Sequence, residues 1–142
     1  MICAAVGPEQ KAALLTYLAA RIGEKPEDLV GAMPFAILGS VRGNRLVGAI
    51  VFLNYRRQSM EFHLAGAPGW VTRAEVKQLF RYAFIEAKCL RLWCLIKRNN
   101  KTARQGAERL GFKLLGVARD EFGEGRDGII YSMRRRDCRW LT

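Results

Sequence analysis

The chain has 142 residues, half of them hydrophobic, and its 24 Lys and Arg against 13 Asp and Glu give a formal net charge of +11. This length suits one folded domain covering residues 1–142, and the apolar fraction excludes a disordered chain. No apolar run is long enough to cross a membrane, and the N-terminus lacks a signal-peptide pattern, so we expect a cytoplasmic protein. Four Cys without a CxxC pair and a single His disfavour a metal site or a disulfide framework.

Helical spacing of apolar residues predicts four helices. Proline in a first turn, a polar cap and a glycine after the last turn mark their ends. Thr72 and Glu75 have the spacing of a capping box, in which hydroxyl and carboxylate satisfy reciprocal backbone donors. The predicted helices are Pro8–Ile22, Pro26–Val30, one that starts at Thr72 and ends at Lys88 or Cys89, and one that is capped by Asn99 or Asn100 and ends at Gly111.

Apolar runs and alternating patterns predict six strands. Those that begin near residues 46 and 90 are nearly continuous in apolar residues, so we expect both to be buried on two faces. Turn sequences at 43–44 and 123–125 separate strand pairs. Helices cross between strands twice, which predicts an α/β fold with a mixed sheet. The predicted strands are Phe35–Val41, Leu46–Leu53, Ser59–Ala65, Leu90–Ile96, Phe112–Glu121 and Gly128–Met133.

The last helix and the two strands after it carry a sequence motif. Its residues are Asn100, Ala103, Glu108, Leu110, Gly111 and Phe112, followed by the segments Gly116–Asp120 and Asp127–Met133. This motif resembles the signature of the GNAT superfamily of N-acetyltransferases, nearest the branch that acetylates ribosomal-protein N-termini and its prophage-type relatives. The resemblance implies a single-domain mixed β-sheet flanked by helices, with splayed central strands, and direct acetyl transfer from acetyl-CoA to a primary amine.

The same resemblance implies where acetyl-CoA binds. The strands Ser59–Ala65 and Leu90–Ile96 would splay, and the backbone near Leu64 and Ala65 would pair with the pantetheine arm. The family's phosphate loop should lie at residues 70–75, but its two glycines are absent there. The segment contains Trp70, Val71, Thr72, Arg73 and Ala74.

Five of the residues proposed for the cofactor site have a second interpretation. The Thr72 hydroxyl and the Arg73 guanidinium suit a phosphate at a helix N-terminus, although a plain cap and a solvated surface residue explain them as well. Trp70 either lines the acceptor cleft or packs over an edge of the core. Asn100 would contact pantetheine or serve as a helix cap, and Arg104, one turn further along, suits a phosphate or faces water.

Acetylation of an amine requires a base and a source of protons. Glu61 and His63 are the candidate bases, because alternation puts them on one face of their strand. GNAT enzymes often use a Glu from this strand, whereas an imidazole as a group titrates nearer neutral pH. The tyrosine that many family members carry seven residues after the helix Asn is replaced by Ala107. Tyr131 is the alternative acid, or else a core residue.

Three functions follow from these patterns. The first is an acetyltransferase for a protein N-terminus or a lysine, because a basic protein disfavours a small cationic acceptor. The second is an inactive GNAT-fold module that binds nucleic acid or an acidic protein through basic segments such as Arg134–Arg136. The third is an assembly protein whose C-terminal tail docks on its own domain or on a second subunit. Monomer and homodimer both remain open.

Overall fold

The computed structural model describes residues 2–4 and 7–141, which form one seven-stranded mixed sheet with helices packed on both faces. The strands are β1 Ile2–Ala4, β2 Phe35–Arg42, β3 Arg45–Arg56, β4 Ser59–Gly66, β5 Arg91–Lys97, β6 Lys113–Ala118 and β7 Gly128–Arg134. The helices are α1 Pro8–Ile22, α2 Pro26–Val30, α3 Arg73–Arg81 and α4 Lys101–Leu110. The predicted α/β fold with a mixed sheet is confirmed.

The spatial order of the strands is β1-β2-β3-β4-β5-β7-β6. Within these strands the β4–β5 pair is parallel and the other neighbours are antiparallel. Strand β1 was not predicted, because three residues are too few to show a period; it pairs with residues 38–40 of β2. Strand β6 ends at Ala118 and not at Glu121 as predicted. The carboxylate of Asp127 accepts a hydrogen bond from the Asp120 backbone N–H at 3.0 Å, which turns the chain there.

The two faces of the sheet have separate cores. On one face α1 and α2 bury Leu15, Leu18 and Val30 against β2 and β3. On the other, α3 and the π-helical turn Tyr82–Glu86 that continues it bury a larger aromatic cluster containing Phe80 and Phe84. Strand β3 runs through the middle with residues 48–53 buried, so the prediction of two buried faces is confirmed for this strand.

Strand β5 differs from that prediction. It begins at Arg91, and Leu90 before it is exposed. Leu92 and Cys94 are buried, but Trp93 and Leu95, which point to the other face, are only half-buried. The physical reason is that α1 packs mainly on β2, β3 and β4. One face of β5 therefore borders an open cleft.

Strands β4 and β5 separate along their length. In the described chain they pair at three positions, from Ser59 with Arg91 to Glu61 with Trp93, although both strands continue for several residues. Beyond Glu61, strand β4 remains paired with β3 as far as Gly66. The predicted splay is confirmed, and it leaves the β5-facing backbone edge of residues 62–66 without a strand partner in the sheet.

Candidate active site

Glu61 and His63 lie in contact on the β4 face that α1 and α2 cover. They are opposite Leu53 and Val51 of β3, whose side chains belong to the α1 core. The His63 Nε2 atom is 2.6 Å from Glu61 Oε2, and both side chains are about nine-tenths buried, with 13% and 12% exposure. The two alternative bases of the sequence analysis thus form one hydrogen-bonded pair.

The pair opens into a cleft of about 400 Å³. Residues from four parts of the chain line it: the end of α1, helix α2, the splayed strands and the loop between β6 and β7. The lining residues are Glu24, Asp28, Leu29, Glu61, His63, Leu95, Glu121 and Phe122. Four of them are carboxylates, and within the described residues no Lys or Arg belongs to the lining.

Tyr131 is not part of this cleft. It lies on β7 opposite Cys94, belongs to the aromatic core on the other face of the sheet and has 0% exposure. Its hydroxyl donates to Glu108 and accepts from the Arg104 Nε–H, each at 3.1 Å. Such a hydroxyl is satisfied within the core. The structure therefore does not bring Tyr131 together with Glu61 and His63. The position of Tyr131 agrees with the other interpretation from the sequence, that of a core residue.

Two buried thiols, those of Cys89 and Cys94, are poor nucleophiles. Burial, and to a smaller extent the negative charge of Glu61, raise the pKa of Cys94 to about 12. Burial alone raises the pKa of Cys89 to about 11. Because the thiolate is the reactive form, neither residue suits a covalent acetyl intermediate near neutral pH.

The start of α3 has the Thr72 half of the predicted capping box. Thr72 is the N-cap, and its Oγ1 accepts from the Glu75 backbone N–H at 3.3 Å. The Glu75 carboxylate is buried and accepts from Ser40 Oγ at 3.1 Å. Arg73 and Ala74 follow as exposed residues in the first turn, where backbone N–H groups have no helical acceptor. This end of α3 remains suited to an anion.

Trp70 packs over the core edge and does not line the cleft. It has 6% exposure, and Val71 after it packs at the margin of the same core. A Cβ added at Gly48 would lie 2.2 Å from the Trp70 ring, and one at Gly66 would lie 2.7 Å from it. Arg42 Nη2 donates to the Trp70 carbonyl at 2.6 Å. This loop lacks the glycines of the GNAT phosphate loop. It is held in place by the packing of the Trp70 indole against Gly48 and Gly66 and by the hydrogen bond from Arg42.

The α4 residues are occupied by local contacts. Asn100, and not Asn99, is the N-cap: its Oδ1 accepts from the Ala103 N–H at 3.1 Å. The cap uses the oxygen of the side chain and not its amide nitrogen. Arg104 donates from Nη1 to the Arg98 carbonyl at 3.0 Å as well as from Nε to Tyr131. A phosphate at Arg104 would have to share a guanidinium that already joins α4 to β7.

The gap between the splayed strands β4 and β5 has features that suit acetyl-CoA. The β4 edge that includes Leu64 and Ala65 offers backbone groups to an extended pantetheine arm, and α3 begins seven residues after this strand ends. The thioester would supply an activated acetyl group at the gap. The described residues contain no cluster of His, Cys, Asp and Glu that suits a metal ion. No helix among the described residues is long and apolar enough to span a bilayer.

The sequence did not identify six of the eight cleft residues, Leu29 and Leu95 among them. Glu24, Asp28, Glu121 and Phe122 come from segments far apart in the chain, and they meet because α1 and the β6–β7 loop flank the same end of the sheet. No local pattern marks them, since each is an ordinary surface or loop residue in sequence. The expectation that a net positive charge disfavours a cationic acceptor does not describe this cleft, because its lining is acidic.

Comparison with known proteins identifies the fold. No family model and no curated protein matches the sequence. Among solved structures, spermidine N-acetyltransferase SpeG from Vibrio cholerae, as its N152L mutant, superimposes with a TM-score of 0.74 at 16% identity, covering 100% of this chain and 96% of that one. A GNAT-family protein from Desulfovibrio desulfuricans gives 0.72 at 17% identity, covering 94% and 98%.

One further structure has higher sequence identity over a shorter region. A protein described as "Probable acetyltransferase" is 26% identical with a TM-score of 0.63, covering 72% of this chain. The present chain spans only 63% of that protein's length. These similarities do not distinguish the ribosomal-protein or prophage-type branch. Together they show that the chain has the fold of the GNAT acetyltransferases.

Proposed function

We propose that the protein transfers an acetyl group from acetyl-CoA directly to a primary amine. The observation that carries this proposal is the Glu61–His63 pair, which lies in a cleft on the strand that splays from its neighbour. The similarity to GNAT acetyltransferases, the "Probable acetyltransferase" among them, supports the reaction class. The single folded domain, residues 1–142, would then carry the whole site.

The pair acts as the base in this proposal. The reaction forms a C–N bond to the acceptor and breaks the thioester C–S bond, which releases CoA as a thiolate. The attacking nitrogen loses a further proton once the C–N bond has formed, and the thiolate takes up that proton to become the thiol of CoA. The acceptor amine must be neutral to attack, and the proton that its ammonium loses passes to the Glu61–His63 pair. The Glu61 carboxylate stabilises the imidazolium that forms. Tyr131 takes no part in this scheme, because its hydroxyl lies in the opposite core.

Acetyl-CoA would lie along the open edge of β4 in this proposal. The backbone of Leu64 and Ala65 would pair with the pantetheine arm, and the first turn of α3 would face the pyrophosphate, with Thr72 as cap and Arg73 as counter-charge. The Asn100 amide nitrogen is the group of that side chain that remains to contact pantetheine. Trp70 contributes by holding the loop and not by direct contact.

Base substitution tests this function. Purified protein is assayed for CoA thiol release with acetyl-CoA and a panel of amines, including a peptide α-amine and a lysine peptide. Glu61→Gln and His63→Gln should each lower kcat by about 10²-fold near pH 7. The loss should diminish at high pH, because the acceptor is then neutral in solution and needs no base. The exposed Glu86→Gln serves as control and should change nothing.

Two results would contradict the proposal. Thiol release that neither substitution reduces would remove the pair from the mechanism. Absence of both thiol release and any rise in unfolding temperature with acetyl-CoA would favour the basic binding module, for which the net charge of +11 is the supporting observation. Salt-sensitive binding of an oligonucleotide would then be the next measurement.

A further inference from the structure

The sheet face that carries the Glu61–His63 pair is covered on one side of the pair and only partly covered on the other. Towards β3, the residues opposite the pair belong to the core formed with α1. Towards β5 and β7, the face presents Trp93, Leu95 and Ile130, which are half-buried and belong to neither of the two cores. Leu95 also lines the cleft. A ligand that begins at the pair can therefore continue over β5 and β7 but not over β3.

Backbone pairing fixes how far two arginines on this face lie from the pair. Glu61 is opposite Trp93 of β5, and Trp93 is opposite Ser132 of β7. Arg91 precedes Trp93 by two residues, so it points to the same face, and it is opposite Arg134. With strands about 4.8 Å apart and a rise of about 3.3 Å per residue, the Cα atoms of Arg91 and Arg134 lie about 8 Å and about 12 Å from that of Glu61.

Arg91 and Arg134 are like charges directly opposite each other, an arrangement that destabilises an antiparallel strand pair. Arg91 is half-buried, and its Nη2 donates to Ser59 Oγ at 2.9 Å. Among the residues that the structure describes, no carboxylate lies at ion-pair distance from Arg91. Arg134 donates from Nε to Asp137 Oδ2 at 2.9 Å, and its side chain is 60% exposed. A carboxylate between the two guanidinium groups would accept hydrogen bonds from both and offset their repulsion.

We infer that Arg91 and Arg134 bind a carboxylate side chain of a polypeptide acceptor. This assignment rests on the proposed function, because the reacting amine of the polypeptide lies at the Glu61–His63 pair. An extended chain advances about 3.3–3.6 Å per residue, so the third or fourth residue after an N-terminal amine reaches the two arginines. The Trp93 ring lies under the residues between them. The acidic cleft thus receives the ammonium end of the acceptor, and the arginines receive its carboxylate.

A polypeptide suits this surface better than a nucleic acid does. Proteins that bind single strands without sequence preference stack successive bases on several aromatic side chains along a positive groove. The described face offers one such ring, Trp93, and next to it lies the carboxylate of Glu61. The acidic cleft beyond Glu61 repels a phosphate backbone. A neutral chain with one acidic side chain avoids this repulsion and still contacts both arginines.

Three peptides of equal length test the assignment. Each is an alanine-rich decapeptide with a free N-terminal amine. The first has glutamate at its fourth position, the second has glutamine there, and the third carries its glutamate at the tenth position, which keeps the total charge of the first. With wild-type protein, the KM for the first peptide should be about tenfold lower than that for either of the others, because only its carboxylate reaches the arginines.

Four variants identify the groups that cause this difference. Arg91→Gln and Arg134→Gln should each remove most of it, whereas Arg91→Lys, which keeps the charge but not the planar fork, should retain part. Arg81→Gln removes an exposed cation from α3 and should leave the difference intact. A further variant, Asp137→Asn, releases the Arg134 guanidinium, so the KM for the first peptide should fall about twofold. A rise on Asp137→Asn would contradict the competition between Asp137 and the acceptor.

Fluorescence anisotropy of labelled peptides measures their Kd without turnover and separates this assignment from the proposed reaction. The Kd values should follow the same order as the KM values. Equal Kd for the first and second peptides, or equal weakening by Arg81→Gln and Arg91→Gln, would overturn the assignment even if acetylation occurs. Displacement of the first peptide by oligouridylate, with a loss of oligouridylate affinity in Arg91→Gln, would give the surface to nucleic acid instead. The expected order of Kd without any thiol release would reject the acetyltransferase function alone.

Discussion

The cleft beside β4 and the surface at the C-terminus have opposite charges within one chain. The cleft collects Glu24, Asp28, Glu61 and Glu121 from four separate segments. The C-terminal surface presents the exposed run Arg134–Arg136 and Arg139. The first is assembled by the fold, whereas the second is contiguous in sequence. A net charge therefore describes the larger surface of this protein and gives the wrong sign for its candidate acceptor site.

The two regions also differ in how they are held. The acidic side chains of the cleft lie in the turn after α1, on the short helix α2, on β4 and in the loop between β6 and β7, with Asp28 and Glu121 exposed. The C-terminal residues are tied to the helical layer, since Trp140 Nε1 donates to the Leu110 carbonyl at 2.9 Å and the ring stacks on Phe80. Arg139 donates to the Arg109 carbonyl. Of the two alternatives for the tail, its own domain or a second subunit, the structure shows contacts with its own domain.

Among the changes that test this comparison, reversal of the cleft charge should have the largest effect on KM. Asp28→Lys with Glu121→Lys should raise the KM for a cationic amine about thirtyfold, because each reversal changes the interaction by about 1 kcal/mol. Steady-state kinetics with such an amine measures this value. The control is Glu9→Lys with Glu86→Lys, which adds the same net charge at exposed positions on α1 and after α3. Equal effects of the two double variants would mean that net charge, and not the cleft, governs acceptor binding.

Loss of Asp127 should have an intermediate effect that depends on pH. The backbone N–H of Asp120, and then the charges of Arg119 and Arg98, lower the pKa of Asp127 below its ordinary value of 3.8. A carboxylate with a lowered pKa stabilises the folded state above its unfolded pKa, and this contribution is lost as the pH falls through the folded pKa. Asp127→Asn should therefore lower the unfolding temperature at pH 7, and the difference from wild type should shrink below about pH 4.

This variant should also affect the cleft. Asp127 bonds the loop that carries Glu121 and Phe122 into the cleft. The KM for a cationic amine should rise with Asp127→Asn at pH 7, while that for acetyl-CoA stays constant. Thermal unfolding between pH 3 and 7, together with kinetics at pH 7, tests both parts. A temperature difference that persists unchanged at pH 3 would exclude the ionised carboxylate as its cause.

The smallest expected effect is on the KM for acetyl-CoA and concerns the contact between Arg73 and Trp140. The Arg73 guanidinium lies 5.6 Å from the centre of the Trp140 ring, and a cation–π contact of this kind contributes about 0.5–1 kcal/mol at exposed sites. Trp140→Leu should therefore raise the KM for acetyl-CoA about threefold, since Arg73 is the proposed counter-charge for the pyrophosphate. Arg73→Ala should raise it at least as much. Neither variant should change the KM for a cationic amine, and a change there would contradict the separation of the two regions.

The helices and most strands could be predicted because their signals are local. Pro8 and Gly23 mark α1, Thr72 caps α3, and Gly111 ends α4 with the left-handed backbone that glycine favours. The burial of β3 follows from its unbroken apolar run. Strand β5 has a similar run, but the burial of a strand depends on which helices cover it, and α1 packs mainly on β2, β3 and β4.

The site could be predicted only in part for the same reason. Alternation along β4 put Glu61 and His63 on one face, and the tertiary structure then brought them to 2.6 Å. Tyr131 was placed on a neighbouring strand, but the sequence does not tell which face a strand residue takes relative to another strand. Its register with Cys94 put it in the opposite core.

The sequence by itself determined the four helices, six of the seven described strands, their order and the position of Glu61 and His63 on one face of β4, because periodicity, caps and turns act over a few residues. Only the tertiary structure decided the sign of charge in the cleft, the contact of Lys97 with Glu24, and the burial of Trp70 against Gly48. Those features join residues that are tens of positions apart. Their interactions depend on distances that a chain acquires only when the sheet has formed and its two faces have been covered.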